Sequence, residues 1–305
     1  MAMAGEKGWG RRFVIAVPYL WLLALFLVPF LIVLKISLSQ DMIAQPPYAP
    51  VFDAAAGWAG FKDFLSQLSI ANYFYVLSFD NEFIAAYGSS LLIAGISTAL
   101  LLLVGYPIAY AMARAPKGIQ PMLLMLVILP FWTSFLIRVY AWIGILSPEG
   151  FLNQLLDALG LISEPLQILN TDLAVYIGIV YSYLPFMVLP LYSALEKLDG
   201  TLLEAAEDLG CPPAKAFWTI TFPLSLPGVA AGALLCFIPA VGEFVIPDLL
   251  GGSDTLMIGK SLWTEFTVNR SWTASAAVAV LLLLLLVVPI VIYQNLQARE
   301  LEAGR

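Results

Sequence analysis

Arg138, Glu243 and Asp248 stand inside otherwise apolar runs of this 305-residue chain. A charge at the centre of a membrane-crossing helix costs on the order of 2.5–3.5 kcal/mol unless it is paired or faces water. Two readings are open for Arg138 and Glu243. They pair with each other, or Glu243 lines a path for a cation while Arg138 positions that cation or repels misplaced charge. Asp248, about one turn further out, receives a second ammonium group or simply touches water at an interface. Pro239, Gly242 and Pro247 surround Glu243. A helix so interrupted leaves carbonyls unpaired, which a bilayer tolerates only beside protein or a water-filled cavity. Phe131, Phe135, Arg138 and Trp142 share one helical face, with Trp132 close by, and Tyr176 and Tyr183 stand seven residues apart. Rings attract ammonium groups by cation–π forces and pack against methylenes, although any single ring also suits helix packing or an interfacial belt. The chemistry such residues could do together is non-covalent recognition of an organic cation.

A second polar stretch interrupts two long apolar runs: Glu204-Ala205-Ala206-Glu207-Asp208-Leu209-Gly210, continuing to Ile220-Thr221-Phe222-Pro223. Thr201-Leu202-Leu203-Glu204 predicts a capping box, with the hydroxyl at the helix start and the Glu reaching back. Leu202, Ala206 and Leu209 fall on one face, opposite Glu204 and Asp208. Gly210 ends the helix, with Pro212 and Pro213 behind it. Small apolar residues beside carboxylates, outside the bilayer, suit a protein partner, although Glu204 could serve the cap alone. Gly259-Lys260-Ser261 ends like a phosphate-binding loop, but the full motif needs Gly five residues earlier, where Asp254 stands. An ATP site in this chain is rejected, and an energy source would sit on another polypeptide.

Glu204-Ala205-Ala206, with Gly210, Ile220 and Pro223 at the right intervals, resembles the "EAA" coupling loop of the permease subunits of ATP-binding-cassette importers. Phe222 stands where Leu is usual. The runs Ile128–Arg138 and Phe237–Phe244 are similar to the polyamine (putrescine/spermidine) branch of those permeases. The likeness covers nearly the whole chain and is weakest before Arg11 and from Asp41 to Asp80. It implies an all-α integral membrane protein with six transmembrane helices, of type I importer permease architecture with a cytoplasmic coupling helix. It also implies an ATP-binding-cassette ATPase dimer, a second homologous permease subunit and an external polyamine-binding protein as partners. ATP and Mg would belong to the ATPase, with no cofactor and no metal in this chain. Glu204, Ala205, Ala206, Gly210, Ile220 and Pro223 would then dock the ATPase. Glu243, Asp248, Arg138, Trp132, Phe135, Tyr176 and Tyr183 would line the substrate path.

Composition independently places the chain in a membrane. Apolar residues make up 61% and charged residues 11%, with mean hydropathy +0.90, beyond the range of soluble domains. There is no His and there are only two Cys, Cys211 and Cys236, so a disulfide framework or a Cys/His metal site is not expected. A net charge of −7 excludes a basic nucleic-acid surface. Spans are predicted at Phe13–Ile36, Ile84–Ala113, Pro121–Leu146, Asp172–Leu195, Leu226–Leu250 and Thr273–Tyr293, each at least ~20 residues long. Basic Lys7, Arg11 and Arg12 precede the first. A signal peptide would have a shorter apolar run and a cleavage site, so a retained span is expected. The domain scheme is a cytoplasmic start (1–12), one permease domain (13–295) with an external segment (38–83) and a coupling loop (196–225), and a cytoplasmic tail (296–305).

Charge orients the spans. One side carries Lys7, Arg11, Arg12, Arg114, Lys117, Lys197, Lys215, Arg299 and Arg305, and the other only Lys62, Lys260 and Arg270. The positive-inside rule puts both termini and the Glu204 island in the cytoplasm. The opposite side holds Asp41, Asp53, Asp63, Asp80, Glu82, Glu149, Asp157, Glu164, Asp172, Asp254 and Glu265. That balance would attract a cation, or reflects only loops poor in Lys and Arg. Phe151–Gly160 reads as a short surface helix, and Lys35 as a snorkelling side chain. A permease of the same build for another small solute stays open, with the acidic face arguing against an anion. So does an ion-gradient-driven secondary transporter, which usually shows internal repeats of spans that are not seen here.

Overall fold

The computed structural model describes residues 7–51, 57–79 and 81–303. Of the acidic positions expected on one face, Asp53 and Asp80 lie outside the described residues, as does Arg305 among the basic ones. Six stretches are long and apolar enough to cross a membrane. Backbone contacts divide the chain into two units, Met1–Ile84 with Leu262–Leu285 and Ala85–Ser261 with Leu286–Arg305.

In the first unit, α1 (Lys7–Leu22), a π-helical turn at Leu23–Leu27 and α2 (Val28–Ser37) run on as one apolar rod. No residue from Phe13 to Ile36 is buried by the rest of the chain, as expected of side chains solvated by lipid or another subunit. Next come a two-stranded antiparallel ribbon, β1 (Gln40–Asp41) and β2 (Tyr48–Ala49), then α3 (Gly57–Ser66) and α4 (Ala71–Val76). Lys35 does not merely snorkel: its ammonium lies 4.0 Å from the centre of the Tyr48 ring and 5.8 Å from that of Phe64. The Asn72 amide donates to the carbonyls of Ser37 and Ser39 at 2.8 and 2.6 Å, fastening α4 to the end of α2.

The second unit is built on α5 (Phe83–Arg114), α9 (Asp172–Glu196) and α12 (Phe222–Val241). The most extensive helix contact is between α9 and α12. It depends on Gly228 and Gly232, where an added Cβ would collide with Ala194 and Pro190 or with Met187, the small-residue device by which membrane helices approach closely. Leu101, Met187, Leu191 and Cys236 are fully buried there. Two polar bonds tie the core: Tyr106 Oη with Ser225 Oγ at 2.9 Å, and Tyr192 Oη donating to Gln120 Oε1 at 3.2 Å. Gln120 in turn donates to the carbonyls of Ala113 and Ala115 at the end of α5.

The expected span at Pro121–Leu146 is broken. It forms α6 (Gln120–Ile128), a 3-10 turn at Leu129–Trp132 and α7 (Phe135–Leu146). At 9 and 12 residues, neither helix alone crosses a ~30 Å hydrocarbon core. The cause is local: Pro130 has no N–H to give, Thr133 and Ser134 take extended backbone, and Thr133 Oγ1 donates back to the Pro130 carbonyl at 2.8 Å. The spanning stretch found here is Phe135–Ala158, which joins α7 to α8 (Phe151–Ala158) across a turn. Gly160, at φ +67°, closes α8 where its spacing predicts. The fifth expected span is broken too, into α12 and α13 (Val245–Leu249), followed by α14 (Ile258–Thr267) and α15 (Trp272–Ala303).

Candidate functional site

Helix α12 stops at Gly242, and α13 starts three residues later. Glu243 fills the gap and is only 8% exposed. One carboxylate oxygen, Oε1, accepts the backbone N–H of Val245 at 3.0 Å and of Ile246 at 3.4 Å. The other, Oε2, accepts the Tyr183 hydroxyl of α9 at 2.5 Å. Glu243 therefore caps α13, satisfying amide donors that the break would leave bare. Helix α13 reaches α9 because Gly178 has no side chain; a Cβ there would strike Leu250 and Ile246.

Arg138 does not pair with Glu243; among the described residues no ion pair joins them. Its guanidinium carbon lies 5.1 Å from the centre of the Phe131 ring and 5.8 Å from that of Phe135. The residue is 9% exposed, and its Nε and Nη1 have no hydrogen-bond partner. Of the two open readings the pairing is not seen: the three hydrogen bonds to Glu243 come from Tyr183 and the start of α13. Rings bridge the two charges instead: Phe131 meets Phe186 edge-on at 5.1 Å, and Phe186 lies 6.1 Å from Tyr183. Phe186 was not singled out from the sequence, although its place three residues after Tyr183 on α9 is the readable signal.

Other expected members of the path lie elsewhere. Trp132 is 73% exposed, thrown outward by the 3-10 turn. Tyr176 is two turns from Tyr183, near Asp172, whose carboxylate accepts the Thr255 hydroxyl at 2.6 Å. Asp248 is exposed on α13, whereas Glu243, before the start of that helix, is buried. Among the described residues no hydrogen bond, ion pair or ring contact joins these three to Glu243. The site gathers Glu243, Tyr183, Phe186, Phe131, Phe135 and Arg138.

The polar island forms α10 (Thr201–Asp208) and α11 (Pro213–Ala216). The predicted capping box is absent. Gly200 takes the cap position with no side-chain bond, and Asp199 Oδ1 accepts the Thr201 N–H at 3.0 Å. That bond holds the Asp199 carboxyl below the usual carboxylate range. Glu204, relieved of capping, is exposed together with Ala205. The helix ends as predicted: Gly210 has φ +75°, its N–H reaches Glu207 O at 2.8 Å, and Cys211 N–H reaches Ala206 O at 2.9 Å, a Schellman closure. Of the expected apolar face only Ala206 is buried, whereas Leu202 is 46% and Leu209 88% exposed. A π-helical turn at Phe217–Thr221, which includes Ile220, leads into α12, with Pro223 in its first turn. Phe217 anchors the island to α5, edge-on to Tyr106 at 5.6 Å and to Tyr110 at 6.0 Å.

A family model described as "Binding-protein-dependent transport system inner membrane component" matches residues 9–302. The chain is 39% identical over 284 residues to the spermidine/putrescine transport system permease protein PotB of Haemophilus influenzae, spanning 93% of this chain and 92% of that protein. Identity to PotB of Salmonella typhimurium is 46% over 204 residues, 67% of this chain and 71% of that protein. Among solved structures, a bacterial ABC transporter involved in import of the acidic polysaccharide alginate shares the fold, with TM-score 0.66 at 16% identity over 95% of this chain and 96% of that one. The chain belongs to the inner-membrane components of binding-protein-dependent transport systems: it is a multi-pass permease subunit of an ABC importer, a transport component and not an enzyme.

Proposed function

We propose that this permease passes a polyamine, of the putrescine or spermidine class, from an external binding protein to the cytosol. The observation that carries the proposal is the buried Glu243 carboxylate at the α12–α13 break, held by Tyr183 and approached through the rings of Phe186, Phe131 and Phe135. Buried carboxylate and ring faces together suit a chain of methylenes between ammonium groups. The names of the PotB relatives support the same substrate class. Glu243 offers about four lone-pair sites, of which three are filled here; an ammonium group takes the fourth.

Both termini and the Glu204 island face the cytosol, on the balance of Lys and Arg between spans. An ATPase dimer grips α10 of this chain and the matching helix of a second permease subunit, and ATP with Mg is bound and hydrolysed there. Closure of the ATPases moves α10, which the Phe217 ring cluster couples to α5 and α12. One of the alginate transporter structures contains a ligand-bound periplasmic protein, and an external protein of that kind delivers the solute here. The test is uptake of labelled putrescine and spermidine by the reconstituted complex, with and without ATP. ATP-dependent uptake of either is expected; ATP-dependent uptake of a different solute with neither polyamine carried would overturn the substrate.

A further inference from the structure

The first unit has a buried acidic residue of its own. Glu265, on α14, is only 9% exposed, and its side chain has no hydrogen bond or ion pair among the described residues. It lines a cavity of about 470 Å³ with Asp41, Asn72, Tyr75, Asn269 and Ser271. The wall around it is already braced. Asp41 accepts the Ser271 hydroxyl at 2.8 Å and the Thr273 hydroxyl at 2.9 Å, and the Asn72 amide is committed to Ser37 and Ser39. Tyr75 is held edge-on by Phe83 at 5.9 Å. Burial first, and the Glu265 carboxylate second, push its phenol above the ordinary value, so the hydroxyl keeps its proton. Arg270 lines an adjoining recess that shares Asp41, Asn269 and Ser271 with this cavity, and it forms no ion pair with a carboxylate among the described residues.

Glu265 is nine-tenths buried and its carboxylate opens onto the cavity with no hydrogen-bond or ion-pair partner among the described residues, so a cation entering there would be favoured. Among the described residues no group of three His, Cys, Asp or Glu side chains could hold a metal ion, and this wall offers two carboxylates, Asp41 and Glu265. A primary ammonium, with three donors on a compact charge, fits better: Glu265 neutralises it, Asp41 has lone pairs to spare, and the Tyr75 oxygen and the Asn269 carbonyl are acceptors on the same wall. We propose that this cavity is a second cation site that takes a primary ammonium group, with Glu265 as its counter-ion. The site rests on the reading of the chain as a polyamine permease with this face outward. The ammonium comes from free polyamine or from a lysine of the external binding protein.

Two titrations on the assembled complex in nanodiscs separate these sources. In the first, putrescine is titrated by calorimetry without the binding protein. If free polyamine fills the cavity, Glu265→Gln weakens one binding event by about tenfold, whereas Glu243→Gln leaves that event in place. In the second, ATPase rate is followed against loaded binding protein. If a lysine fills the cavity, Glu265→Gln raises the half-saturating concentration by about tenfold at an unchanged maximal rate. Tyr75→Phe, which keeps the ring on Phe83, is the second variant and shifts the same curve in the same direction. Curves that coincide for wild type and both variants in both titrations would overturn the site. Wild-type uptake of labelled putrescine, measured in parallel, keeps the failures apart: loss of the second site leaves it standing, whereas its absence removes the proposed substrate itself.

Discussion

Tyr183 Oη lies 2.5 Å from Glu243 Oε2, joining the middle of α9 to the gap between α12 and α13. The same carboxylate caps α13 through the amides of Val245 and Ile246, so one side chain both holds the broken helix together and presents buried negative charge. Substitutions separate the two roles. Glu243→Gln keeps a carbonyl for the α13 amides and loses the charge. Uptake of labelled polyamine is expected to fall by tenfold or more on the order-of-magnitude scale of a charged hydrogen bond, with surface expression close to wild type. Tyr183→Phe leaves the charge, removes one bond and is expected to give a smaller loss. Unchanged uptake in Glu243→Gln would reduce the residue to a helix cap.

Arg138 carries the opposite expectation. Its guanidinium rests on rings with two buried nitrogens unpartnered, so it contributes no stabilising pair to lose. Arg138→Met is expected to leave thermal stability of the assembled permease equal or raised, as when an uncompensated buried charge is replaced by apolar volume. Combined with Glu243→Gln, the two effects on stability should add to within roughly 0.5 kcal/mol. A larger coupling, measured by a double-mutant cycle, would show that the two residues pair in the working protein.

Much of this architecture is legible in the sequence because hydropathy and length decide a membrane span almost alone. Phe13–Ser37, Phe83–Arg114 and Asp172–Glu196 lie within a residue or so of where the apolar runs place them. The break at Thr133–Ser134 was missed, since both residues are small and uncharged and leave the apolar count nearly untouched. Pro130 was its one visible sign. At Glu243 the surrounding Pro and Gly did announce an interruption, but not that the carboxylate would cap the next helix. At Thr201 the local pattern fitted a capping box, yet Asp199, two residues earlier, supplies the oxygen. Such choices turn on where one backbone amide points, which residue spacing does not encode. The ring path between Arg138 and Glu243 is a tertiary feature of the Leu129–Trp132 turn, α7, α9 and the α12–α13 gap, so only Phe186's position beside Tyr183 hinted at it.

Glu204 is exposed and serves no cap, so its charge is available to a partner. Glu204→Arg is expected to abolish co-purification of the ATPase while the permease still inserts in the membrane. Leu209→Ala, which removes an 88% exposed side chain, should weaken the same association less severely, because burial of such a side chain is worth about 1.5–3 kcal/mol. Normal assembly of the Glu204→Arg complex would defeat the assignment of α10 as the docking helix.

The Asp199 bond gives α10 a pH dependence with a definite sign. The folded-state value is depressed, with the Thr201 backbone bond the largest cause. Its contribution is therefore complete above the ordinary carboxylate range and disappears as pH falls through the lowered value. At neutral pH it is fully present. Amide hydrogen exchange at Thr201–Leu203 is expected to quicken in Asp199→Ala at neutral pH. In wild type, protection relative to that variant should shrink only in acid. Equal protection in the two proteins at neutral pH would remove Asp199 from the start of the helix.

Gly210 offers the sharpest test of whether α10 must hold its shape to transmit force. Its φ of +75° is a left-handed conformation, and a Cβ added there meets nothing within 4 Å. Any harm from Gly210→Ala therefore comes from the backbone alone, about 1–2 kcal/mol for a residue with a Cβ in this region. Asn tolerates the same conformation better through its short polar side chain. Gly210→Ala is thus expected to lower ATP-driven uptake by several-fold and to fray the end of α10, whereas Gly210→Asn, though larger, retains most activity. Uptake and ATPase rate measured together distinguish the causes: a bent or frayed α10 leaves ATP hydrolysis running with less solute carried per turnover. If Ala is tolerated as well as Asn, the left-handed closure has no part in coupling, and the rigid connection through Phe217 to α5 must carry the movement without it.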